Sequence, residues 1–148
     1  MWLPRPRAQV FAFFADPQNL PRVHPPSMRF EWLGPPPDRL TASALIDFRI
    51  SALGTRTRWR LFVREFDPPF RFVDVQIWGP FARWEHRHRF AEGREAEGAD
   101  AVGTWVEDRV TYRLPAGPLG RVAHALVVER QIRRLFAHRE RRLRELLV

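Results

Sequence analysis

An α+β fold, with an antiparallel sheet packed against one long C-terminal helix, is predicted by three features of this 148-residue sequence. A short segment of helical periodicity opens the chain. A series of period-two stretches follows between residues 29 and 114, and a helical apolar stripe covers Leu119–Leu147. Helical and extended parts are thus segregated along the chain. The sheet must bury its apolar face, and the terminal helix is the only sizeable element able to cover it. A curved sheet gripping one helix leaves a cavity between them.

In Ala8–Ala15, Val10, Phe11 and Phe14 recur at helical spacing, with Pro6 suited to the entry and Asp16-Pro17 to the exit. Asn19–Val23 adds a further turn before Pro25-Pro26. Arg29–Leu33 reads as a short strand, and residues 34–38 as a loop. Leu40–Leu53 alternates cleanly, with Ile46, Phe48 and Ile50 on one side and Asp47, Arg49 and Ser51 on the other. A two-residue turn at Gly54-Thr55 pairs Ile50 with Trp59, Phe48 with Leu61 and Ile46 with Val63, so the apolar faces of both strands coincide. Strand Arg56–Asp67 then points Trp59, Leu61, Val63 and Glu65 inward. After a turn at residues 67–70, strand Arg71–Trp78 points Phe72, Asp74, Gln76 and Trp78 inward. Phe81–Phe90 presents Trp84, His86, His88 and Phe90. Ala91–Val102 is an acidic solvent loop. Gly103–Leu114 presents Thr104, Val106, Asp108, Val110, Tyr112 and Leu114. In Leu119–Leu147 the buried stripe is Val122, Leu126, Val128, Ile132, Leu135, Phe136, Leu143 and Leu146. No internal repeat or linker divides the chain, so residues 1–148 read as a single domain.

Composition narrows the function. A chain of this length buries roughly 68–70% of its unfolded surface and needs no staple. Cysteine is absent, which removes disulfides, thiolate metal sites and cysteine nucleophiles. No apolar run is long enough to span a membrane, and MWLPRPR lacks a signal-peptide core, so a cytoplasmic location is expected. The net charge is +8 and every basic side chain is Arg. These Arg are spread along the chain, which disfavours nucleic acid as a partner. The dense run from Arg130 to Arg144 suits an anionic membrane surface only weakly. A solvated helix face with Glu140 and Glu145 as local partners is the better reading. Arg139 alone falls within the apolar stripe and needs a partner. No phosphate loop or nucleophile elbow is present, and Ser27, Ser43 and Ser51 lie outside any Gly-x-Ser-x-Gly context.

The phrases VFAFFADPQNLPRVHPP, FVREFDPPFRFVDVQIWGPFARWEHRHRF and GTWVEDRVTYRLPAGPLGR resemble the SRPBCC superfamily. This is the START and birch-pollen-allergen-like helix-grip fold, here in its bacterial ligand-binding branch. The resemblance covers nearly the whole chain, and Trp-x-His-x-His-x-Phe is its most specific part. It implies a pocket for a small hydrophobic molecule, lipid- or polyketide-like, with chemistry that varies between branches. One departure concerns the first strand, of which only Met1-Trp2-Leu3 remain. Either that strand is vestigial or the start lies upstream.

His86 and His88 share one strand face. If Phe90 pairs near Thr104, then His86 faces Asp108 and His88 faces Val106. A His–Asp pair inside could act as a general base or hold a polar ligand head, and it could equally be a structural hydrogen bond. His-x-His also suits a metal, but Asp108 or Glu65 would have to supply a third ligand, and no spacing fixes one. Neither a metal nor a cofactor is therefore expected. A tight turn at Gly79-Pro80 would set Asp74 beside Arg83 and Arg87. An extra residue there returns Asp74 to the face of His86 and agrees with the preceding hairpin. Binding of a hydrophobic ligand is the favoured function, with His86, His88 and Asp108 as the polar pole and Asp74 and Gln76 as further members. Trp59, Phe72, Trp78, Trp84 and Tyr112 form its wall. The rival is cyclase-, aromatase- or dehydratase-like catalysis, with His86 or His88 as base, Asp108 as orienter and Tyr112 as acid.

Overall fold

The helix at the N-terminus is held by aromatic packing. Phe11 meets Phe66, Phe72 and Phe90 with ring centroids 5.5, 6.0 and 5.3 Å apart, while Phe14 packs on Phe90 at 5.1 Å. These contacts belong to a computed structural model that describes residues 1–52, 54–97, 101–115 and 118–148, without the side chains of residues 118–126. The strands are β1 (Trp2–Leu3), β2 (Arg29–Trp32), β3 (Leu45–Ala52), β4 (Thr55–Asp67), β5 (Arg71–Trp78), β6 (Arg83–Arg94) and β7 (Val102–Arg113), and the helices are α1 (Arg7–Phe14) and α2 (Pro118–Leu147). All seven strands form one antiparallel sheet in the order β1-β7-β6-β5-β4-β3-β2. The core joins Val10, Phe11 and Phe14 of α1 to the inner sheet face and to Leu143 of α2. This is the predicted α+β arrangement. The short first strand is real: Trp2 pairs with Trp105 and Leu3 with Thr104. Its approach to β7 is so close that a Cβ on Gly103 would strike Leu3 O and the Trp2 ring, so only glycine fits there.

Where the sequence predicts one further turn over Asn19–Val23, two 3-10 turns run over Pro17–Asn19 and Pro21–Val23, the first capped by Asp16 Oδ1 accepting from Gln18 N at 2.9 Å. The strand expected from Leu40 begins only at Leu45. Ser43 has φ 66°, which interrupts the extended run, and Val63 instead bonds both Ser43 N and Ala44 O at 2.9 Å. Leu53, the expected strand end, lies outside the described residues.

Two hairpin registers differ from expectation by two residues. Phe48 pairs with Trp59, Ile46 with Leu61 and Ile50 with Thr57. Across β6 and β7, His88 pairs with Asp108, His86 with Val110, Trp84 with Tyr112 and Phe90 with Val106. A slip of two keeps every side chain on its face, so alternation fixes sidedness and leaves the offset undetermined. β6 and β7 also extend into the expected loop, as far as the Arg94–Val102 pair. The β5–β6 register places Asp74 opposite His86, as the favoured alternative requires.

Irregularities in β4–β5 account for two further corrections. An extra residue between Val63 and Glu65 brings Phe66, not Glu65, to the inner face opposite Phe72. Glu65 instead meets Arg64 outside, at 3.3 Å. A second shift, between Arg60 and Leu61, leaves Ile77 unpaired and sets Trp78 opposite Arg60, an outer-face residue. Trp78 is accordingly 67% exposed.

The outer sheet face carries much of the arginine. Asp47 accepts from Arg58 Nε at 2.9 Å and from Arg60 Nε at 3.0 Å. Glu85, buried at the side chain, accepts from Arg87 Nε at 2.7 Å and from Arg64 Nη1 at 3.0 Å. Hydrogen bonding from Arg87, followed by that from Arg64, holds Glu85 down at about 2. A carboxyl depressed in the folded state stabilises above its ordinary value near 4.5 and loses that contribution as pH falls towards 2. Glu85→Gln is therefore expected to cost about 1–2 kcal/mol at pH 7 and almost nothing at pH 2. Thermal melts of both proteins at the two pH values check this. An equal loss at both would show that packing, not charge, holds Glu85.

Helix α2 turns a basic face outward, where Arg144 meets Glu140 at 3.0 Å and Arg133 meets Glu129 at 2.7 Å, with Arg142 paired to Glu145. Inward it lays Ile132, Leu143 and Leu146 on the core. Val122 and Leu126 of the expected stripe lie outside the described side chains. Among the described residues, no helix is long and apolar enough to cross a membrane.

Candidate functional site

Between the sheet and α2 lies a cavity of about 580 Å³. Its sheet wall is Ile46, Phe48, Ile50, Trp59, Leu61, Phe72 and Trp84, and its helix wall includes Ile132, Leu135, Phe136 and Leu143. Phe13, Leu20 and His24 close it from the N-terminal segment. The volume is within the usual range for small-molecule sites. Aromatic rings hold one another in place: Phe48 stacks parallel on Trp59 with centroids 6.2 Å apart, and Trp59 meets Trp84 edge-on at 5.2 Å.

Against this apolar lining sits one polar cluster, made by Asp74 on β5, His86 and His88 on β6, Asp108 on β7 and Arg139 on α2. Asp74, His86, His88 and Arg139 line the cavity. Asp108 stands behind the two imidazoles. His88 Nδ1 approaches Asp108 Oδ1 to 2.6 Å, and His86 Nε2 approaches the same oxygen to 3.3 Å. Neither contact is aligned as a good hydrogen bond, so both are close electrostatic contacts. The opposite ring nitrogens face Asp74 Oδ2, His88 Nε2 at 3.2 Å and His86 Nδ1 at 3.9 Å. Arg139 Nε lies 3.9 Å from Asp108 Oδ2, which gives the stripe arginine the acidic partner it requires.

Both histidines are almost fully buried. Phe72 stacks on the His88 ring at 4.1 Å, and the two imidazole centroids are only 3.8 Å apart. Burial, then the neighbouring His88 charge, pushes His86 below its ordinary value. Burial also opposes the charge on His88, but Asp108 and Asp74 outweigh it and His88 is raised. At Asp108 burial favours the neutral acid, yet Arg139 and His88 hold the carboxyl well below the usual range. The cluster thus disfavours the charge on His86 and favours it on His88. Separately, burial drives His24 down to about 4, with its Nδ1 donating to Leu20 O at 2.8 Å.

Of the residues expected at the site, Trp59, Phe72, Asp74, Trp84, His86 and His88 do reach the cavity wall. Asp108 joins the cluster but pairs across from His88 instead of His86. Three further expected members neither line the cavity nor join the cluster. Trp78 faces outward for the reason given above. Gln76 is turned onto the β5–β6 connection, where its amide donates to Phe81 O at 2.7 Å and accepts from Phe81 N at 3.3 Å. Tyr112 packs against Phe81 and Trp84 at 5.4 and 6.3 Å, and Phe81 stands on the cavity wall instead.

A family model described as polyketide cyclase / dehydrase and lipid transport matches residues 3–139. The chain belongs to this family. Solved structures show its SRPBCC-type helix-grip fold in other settings. TTHA0849 from Thermus thermophilus superposes with a TM-score of 0.66 at 21% identity, over 97% of this chain and 92% of that one. A START superfamily protein from Mycobacterium smegmatis gives 0.60 at 14% identity, over 99% and 92%. Ara h 8.0201 gives 0.58 at 15% identity, over 97% and 93%. No curated protein matches by sequence. In this member of the family, Phe48, Ile50, Leu135 and Phe136 are wall residues that alternation and the helical stripe place inward. His24 and Leu20 had no such signal, because the 3-10 turns carry no periodicity.

Proposed function

We propose that this protein binds a small, largely apolar molecule with one polar end, seated between the sheet and α2. The observation that carries the reading is a cavity of about 580 Å³ whose described walls are mostly apolar, with Asp74, His86, His88 and Arg139 gathered on its lining. Such a site pays little to desolvate the ligand's body and uses the cluster to fix its orientation. His86, His88 and Asp74 are the groups within reach of the polar end, and Asp108 and Arg139 hold the two rings in place. Asp74 Oδ1 is buried without a partner, which suits a ligand that brings a hydrogen-bond donor. Native mass spectrometry of the protein purified from its own host is expected to show one small molecule retained per chain. His86→Phe keeps most of the packing volume and is expected to lower the retained fraction while changing stability by less than about 1 kcal/mol. Equal retention by His86→Phe would remove His86 from the polar pole.

A second reading rests on the contact of the two imidazoles, whose centroids are 3.8 Å apart and whose affinities for a proton are pulled in opposite directions, an arrangement suited to a base and an acid side by side. Cyclase- or dehydratase-like chemistry would then use His86 as base and His88 as acid. Tyr112 has no part in it.

A further inference from the structure

The two imidazoles are oriented alike: each turns one nitrogen to Asp108 Oδ1 and the other to Asp74 Oδ2. A carboxylate behind a histidine fixes the tautomer with the hydrogen on its own side, and this is how metal-ligating histidines are held. Asp108 Oδ1 lies 3.3 and 2.6 Å from the two rings and would take that role once they turn into line with it, while the Arg139 guanidinium stands 3.9 Å from its far oxygen. With the hydrogens on the Asp108 side, His86 Nδ1 and His88 Nε2 become electron-pair donors beside Asp74, and an ion there would replace the hydrogen bond that His88 Nε2 makes to Asp74 Oδ2 at 3.2 Å. Ligand atoms of Asp74, His86 and His88 all lie within 4.8 Å of one another, and all three residues are buried. Asp74 Oδ1 has no hydrogen-bond partner, so that carboxyl has a free oxygen at the cluster. The same three residues line the cavity, while Asp108 does not.

We propose that Asp74, His86 and His88 form a binding site for a divalent transition ion of the zinc type, with its remaining coordination position open to the cavity. Two imidazoles and one carboxylate suit Zn²⁺ and its late first-row neighbours, which take nitrogen donors at about 2.0–2.1 Å. Mg²⁺ and Ca²⁺ call for more oxygen ligands than these residues supply. The separations of 3.2 and 3.9 Å from Asp74 Oδ2 to the two ring nitrogens are short enough for one ion to bridge. The open position would be filled by water or by an oxygen of the cavity's ligand. The site stands independently of that ligand, since its donors all come from the chain.

The test uses the untagged full-length chain, stripped with chelator and titrated with Co²⁺. One equivalent is expected to bind with the intense visible absorption of a four-coordinate ion, and one equivalent of Zn²⁺ is expected to abolish it. Zn²⁺ at 100 times its Kd should also stabilise the fold by about 2.7 kcal/mol, which needs no variant to be read. Asp74→Asn, close to isosteric, should weaken Co²⁺ binding at least tenfold. Absence of a stoichiometric Co²⁺ spectrum in the wild-type chain would overturn the proposal, as would unchanged affinity in Asp74→Asn. Retention of an apolar molecule by metal-free protein would leave the ligand-binding reading standing, so the two fail separately.

Discussion

Replacing Asp108 with Asn is expected to cost about 3–5 kcal/mol of stability, because a buried charge partner is removed while its counter-charges stay. Behind the cavity wall, Asp108 faces His88 at 2.6 Å, His86 at 3.3 Å and Arg139 at 3.9 Å, three residues that line the cavity. Asparagine retains the shape and loses the charge that favours the protonated form of His88 and faces Arg139. In a domain of this size the loss corresponds to a fall in Tm of about 10 °C. Removing an exposed pair such as Arg144–Glu140, in contrast, should cost less than about 1 kcal/mol. Urea or thermal unfolding of both variants decides the matter. If Asp108→Asn is as mild as the surface change, the cluster is not an electrostatic unit.

The second large effect concerns the empty space. Ile50 and Ile132 line the cavity from opposite sides, one from β3 and one from α2. Changing both to Trp adds apolar volume where none is packed, so stability should hold or rise. Binding of an apolar dye such as 1-anilinonaphthalene-8-sulfonate should weaken at least about tenfold, a change of ~1.4 kcal/mol. Fluorescence titration of the double variant reads this directly. Unaltered dye affinity would place the binding surface elsewhere.

The sequence carried the sidedness of the sheet more faithfully than its registers. Ile46, Phe48, Trp59, Leu61, Trp84, His86 and His88 alternate with Arg and acid neighbours, and burial on one face alone explains that pattern. Which residue lies opposite which was not encoded there. A slip of two preserves every face, so His88 replaced His86 as the cross-strand partner of Asp108 without disturbing any apolar position. Bulges were also invisible, because an extra residue such as Ile77 or Arg64 leaves no compositional mark. Their effect was large at single positions, turning Trp78 and Glu65 out of the interior. Asp74 came to face one nitrogen of each ring only through the β5–β6 register, which alternation alone left open between two parities. Arg139 was legible in a different way. A lone arginine inside an apolar stripe demands a buried acid, and Asp108 supplies it.

The indole N–H groups offer the most direct test of the cavity as the binding site. Trp59 and Trp84 line it, whereas Trp78 and Trp105 lie on the outer face, 67% and 43% exposed. In ¹H–¹⁵N spectra recorded while 1-anilinonaphthalene-8-sulfonate is added, the Trp59 and Trp84 indole signals are expected to shift together and saturate at one dye per chain. The Trp78 and Trp105 signals should stay in place. Shifts confined to Trp78 and Trp105, with Trp59 and Trp84 unmoved, would contradict a ligand site between the sheet and α2.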